Sequence, residues 1–113
     1  MSITVDELTG TILDAAKKAF GKEWEVVHLY APAEFRKMAV QLADIAENVT
    51  LYKLDPSRGY SEETGKILFR MQRTAAESVL VALTKLTLIA VQEVIDAIAE
   101  ALKKAFKGLF DFL

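Results

Sequence analysis

From Lys66 to Lys107 the chain contains neither glycine nor proline. Those two residues break helices most reliably, glycine through backbone freedom and proline through its missing N–H and its ring clash. Just upstream, Ser61 followed by Glu62 and Glu63 has the makings of a helix start. The hydroxyl can accept from the first free amides, and the carboxylates sit at the positive end of the helix dipole. The pattern predicts one long C-terminal helix over about 62–107, some 45 residues and roughly 68 Å at 1.5 Å per residue. A globule of this chain length is only about 35 Å across. Such a helix cannot be enclosed, so an elongated helical bundle is expected.

Apolar residues along this stretch follow an eleven-residue spacing. Leu68, Phe69, Gln72, Ala75 and Ala76 align with Val79, Leu80, Leu83, Leu86 and Thr87, then with Ala90, Val91, Val94, Ala97 and Ile98, and then with Ala101, Leu102, Ala105, Gly108 and Leu109. Gln72, Thr87 and Gly108 depart from the pattern. Eleven residues in three turns is about 3.67 per turn, a period that favours straight or slightly right-handed packing. Val81, Ala82, Leu88, Ile89 and Ile95 add a second apolar surface, and a helix apolar over most of its circumference is a buried one. Two shorter helices could cover about half of it. The remainder predicts self-association in the manner of a coiled coil, a homo-oligomer whose interface is Phe69, Leu80, Leu83, Leu86, Val91, Val94, Ile98 and Leu102.

The first half of the chain supplies the shorter helices. Thr4-Val5-Asp6-Glu7 reads as a capping box, and Val5, Leu8, Ile12, Ala15, Ala16, Ala19 and Phe20 recur on one helix face. Lys17 and Lys18 suit the last turn, and Gly21 offers a left-handed stop. Trp24, Val26, His28 and Tyr30 alternate as in a strand, but a strand here has no partner. The helical alternative, starting near Glu23 and restarting at Pro32, joins Phe35, Met38, Leu42, Ile45, Val49 and Tyr52 into one face ending near Leu54. Asp55-Pro56-Ser57-Arg58-Gly59 is a loop. The fold class expected is all-α: two or three shorter helices on one long helix, in a single domain over 1–113 with an apolar tail at 109–113.

No residue constellation names a reaction. The single histidine, His28, has Glu25 one turn away, whereas a zinc site needs about four ligands. The absence of cysteine removes thiolate catalysis and Cys-bound zinc, and no Glu-x-x-His step supports a di-iron bundle. Asp44 with Glu47, and Glu62 with Glu63, have the spacing of solvated helix faces and caps. A net charge of −2 argues against a nucleic-acid footprint, since acids near Arg36, Lys37, Arg70 and Arg73 cancel the field. Neither a basic leader nor an apolar run of about 18 residues is present, so a cytoplasmic location is expected. No enzyme activity and no cofactor are expected.

The tail carries a second possibility. Lys103, Lys104 and Lys107 accompany Phe106, Phe110 and Phe112, a cationic amphipathic pattern suited to docking on a partner protein or a membrane surface. The functions expected are therefore a homo-oligomeric helical scaffold first, then a peripheral membrane-associated protein. A bundle holding a small apolar ligand between Trp24, Tyr30 and Phe35 comes third.

Overall fold

A computed structural model describes residues 4–113. The part of the single-domain expectation that covers residues 1–3 lies outside the described residues. The order is α1 (Val5–Phe20), a 3-10 turn (Gly21–Glu23), α2 (Trp24–Val27), α3 (Ala31–Leu54), α4 (Glu62–Thr84) and α5 (Leu88–Ala105), with no strand among the described residues. The all-α class stands. The four longer helices form a ring of neighbours in which α1 packs on α3 and α5, and α4 on α3 and α5. The Cα extents are 45 × 22 × 19 Å.

Local chemistry explains most boundaries. Thr4 Oγ1 accepts from Glu7 N at 3.1 Å, and Gly21 ends α1 at φ +57°. The Glu23–Tyr30 stretch is not extended: Trp24–Val27 is helical and residues 28–30 form a turn, and α3 starts at Ala31 with Pro32 in its first turn, where the missing N–H costs nothing. Ser61 Oγ accepts from Thr64 N at the head of α4.

The predicted helix over 62–107 is the main correction. It is broken at Lys85–Thr87, and α5 folds back along α4. Arg73 holds the hairpin, its guanidinium bonded to Glu77 Oε2, to the Gln92 carbonyl and to Asp96 Oδ1 at 2.7 Å. The break needs no glycine or proline because two threonines make it. Thr84 Oγ1 donates to the Leu80 carbonyl at 2.6 Å and accepts from Leu86 N, while Thr87 Oγ1 caps α5 by accepting from Ala90 N at 3.1 Å. Between them Lys85 takes the left-handed conformation (φ 62°, ψ 15°), alone among the described non-glycine residues in having positive φ. That conformation costs a residue with a Cβ about 1–2 kcal/mol. Burial decides the outcome. A fully buried Val, Leu or Ile is worth roughly 1.5–3 kcal/mol, and the turn lets Val91, Val94, Ile95, Ile98 and Leu102 pack inside the same chain.

The loop between α3 and α4 is pinned to α3. Asp55 Oδ1 accepts from both the amide and the hydroxyl of Ser57, bonds that hold its carboxyl below the usual carboxylate pKa. Tyr60 N donates to the Asn48 carbonyl at 3.3 Å. The Tyr60 hydroxyl is buried without a well-formed hydrogen bond, and burial, with a smaller push from the Asp44 charge, raises its pKa against the opposing pull of the Asn48 side chain. An unpaired buried hydroxyl costs about 1–3 kcal/mol. Tyr60→Phe, which keeps the ring and removes the orphan, is therefore expected to stabilise the protein by about 1 kcal/mol, seen as a higher urea midpoint with unchanged slope.

Candidate interaction surface

The eight residues expected at an oligomer interface fall mostly inside the chain's own core. Phe69, Leu80, Val91, Val94, Ile98 and Leu102 are buried, and Leu86 is half-buried. Leu83 alone remains open, at 47% exposure. These side chains are thus covered within one chain, and the apolar surface left open is a different one.

That surface is the outer side of α4. At 100° per residue, Glu62, Glu63, Lys66, Arg70, Arg73 and Glu77 share an arc of about 100°. Gly65, Phe69, Ala76 and Leu80 face inward. The remaining arc carries no charge: Leu68, Met71, Ala75, Val79, Ala82 and Leu83 are all exposed, Met71 by 65%. Their steps of three and four residues make a stripe about 22 Å long at 1.5 Å per residue. A solvated helix face normally looks like that of α5, where Glu93, Asp96, Glu100 and Lys104 point outward. The antiparallel register of α3 on α4, marked by the Lys53–Glu62 ion pair and by Gly65 beside Ile45 and Val49, puts the start of α3 near the end of α4. The short α2 packs on α4, and its neighbourhood adds the exposed Val26 and Leu29.

The tail residues divide by chemistry. Phe110 is fully buried and Phe112 nearly so, their rings tilted against each other at 6.3 Å, and Phe106 meets Phe110 edge-on at 5.9 Å. Phe112 also approaches the position of Gly65 on α4. Lys104 and Lys107 remain exposed, and Lys103 is half-buried beside Glu100. The aromatic side of the predicted docking segment closes the chain's own bundle, because the helix ends at Ala105 and Gly108 (φ +82°) turns the chain inward.

Other sites read from sequence are dispersed. His28 is exposed, with Nδ1 2.8 Å from the Glu25 carbonyl, and no cluster of three or more His, Asp or Glu able to hold a metal ion occurs among the described residues. Phe35 is buried in the core, Trp24 is half-buried against Phe20, and Tyr30 is at the surface. A shallow groove between α1 and α5 is floored by Ala15, Ala19, Ala97 and Ala101 and edged by Asp14, Lys18, Glu100 and Lys104. No helix is long and apolar enough among the described residues to cross a membrane. The α4 stripe is legible in the sequence, since its lack of charge is plain on a helical wheel. Comparison of the chain with protein-family models, with curated proteins and with solved structures finds no match.

Proposed function

We propose that this chain is a non-enzymatic assembly protein, a helical bundle that pairs with a second copy of itself. The supporting observation is the uncharged, exposed stripe from Leu68 to Leu83 on α4. Apolar stripes that run the length of a helix are costly in water and mark association surfaces. This one is self-complementary. Under twofold symmetry two stripes meet row against row, while the exposed charges Glu62, Glu63, Lys66 and Arg70 of each helix stay in solvent.

Light scattering across a concentration series tests the reading. A mass of twice the chain is expected at the higher concentrations, and a monomer throughout overturns it. Met71→Glu with Val79→Glu places like charges opposite one another in the symmetric pair. Both side chains are exposed in the single chain, so the helical circular dichroism is expected to stay unchanged. The dimer dissociation constant is expected to rise at least tenfold.

A further inference from the structure

We propose that the dimer forms by exchange of α5, with the Lys85–Thr87 turn opening so that α4 and α5 become one continuous helix and each α5 packs on the other copy's α1. This rests on the self-association proposed above and specifies its form. Three observations carry it.

First, the turn holds a lysine in a left-handed conformation within a three-residue connector, and no glycine or proline stands between Lys66 and Lys107. Short hinges under strain favour exchange, because opening relieves the strain while the swapped element regains every native contact. Second, the two helices are in phase across the turn. Phe69, Leu80, Val91 and Leu102 are spaced by eleven residues and are all buried in the folded-back chain. With Lys85–Thr87 helical they lie on one face, advancing only about 20° per step. The swapped α5 therefore presents its core face on the same side as that of α4. A connector whose only role was to reverse the chain has no reason to keep that phase.

Third, the uncharged stripe gains length when the helix is straight. Leu86 and Ile89 then follow Val79 and Ala82 on the same arc, and Ile89 is 69% exposed in the closed hairpin. Two long helices crossing near their hinges can cover these side chains. A stable complex buries about 800 Å² on each partner. The exchanged core face of α5 adds to the area that the stripe of one helix supplies.

The chain has no cysteine, so spin labels can be placed uniquely. Arg70 and Glu100 are exposed and lie one turn to either side of the Arg73–Asp96 contact, which makes them near neighbours across the closed hairpin. The chain with Arg70→Cys and Glu100→Cys, doubly labelled and diluted into excess unlabelled chain, reports the distance within one chain by pulsed electron resonance. In the dimer fraction about 45 Å is expected, thirty residues of unbroken helix. A short distance in that fraction overturns the exchange but leaves self-association standing; absence of any dimer overturns both. Lys85→Gly supplies a second reading, since glycine tolerates the left-handed turn and favours the closed form. At about fivefold per hinge and two hinges per dimer, the dissociation constant is expected to rise roughly 25-fold. An unchanged or lower constant counts against the exchange.

Discussion

Phe110→Ala is expected to destabilise the protein by about 3–5 kcal/mol, the range for truncating a buried phenylalanine in a packed core. Phe110 is fully buried, with ring neighbours Phe106 and Phe112 on either side. Its removal leaves a cavity that these rings cannot refill without abandoning their own positions, and Phe112 already lies against the space where a Cβ on Gly65 would sit. Total stability for a domain is only about 5–15 kcal/mol, so the variant approaches the unfolding threshold. The urea midpoint is the measurement. Lys107→Ala, an exposed position three residues earlier in the same tail, is expected to stay within about 0.5 kcal/mol of the parent. Equal, small effects at both positions would mean that the tail lies outside the core.

Gly59→Ala is expected to cost about 1–3 kcal/mol, against the usual direction for glycine replacement. Alanine narrows the unfolded ensemble and by that route alone stabilises by about 0.4–1 kcal/mol. Two local effects outweigh it. Gly59 sits at φ +63°, where a side chain costs about 1–2 kcal/mol. A Cβ there would also collide with the Asn48 carbonyl oxygen, which is backbone and cannot swing aside. The loop must move, and the Tyr60 N–H bond to that same carbonyl goes with it, at about 1 kcal/mol. Gly10→Ala makes the contrast. Gly10 lies inside α1 with open space around its Cβ position, so alanine is expected to stabilise by about 1 kcal/mol through helix propensity. Thermal or urea unfolding of the two variants under one buffer separates the cases by sign.

The residues that set helix starts and stops were legible because their action is local. Thr4 and Ser61 cap through amides three residues away, Gly21 needs only its own backbone freedom, and Pro32 only its own missing N–H. The apolar face of each helix was equally plain, since 3.6 residues per turn places it without reference to any neighbour. The turn at Lys85 was not legible. Locally Lys85 and Leu86 are good helix formers, and the two threonines cap only once the chain has already turned. Nor could spacing distinguish a seam covered by another chain from one covered by the same chain folded back.

Sequence alone determined that this protein is helical, where most of its helices begin, and which side of each avoids water. Tertiary structure decided what meets those sides: α5 turns back onto α1 and α4, the tail phenylalanines fill one end of the core, and the outer stripe of α4 is left uncovered. The reason is one of range. Periodicity and capping act over three or four residues, whereas the choice to accept a strained lysine depends on apolar area gained between segments far apart in the chain.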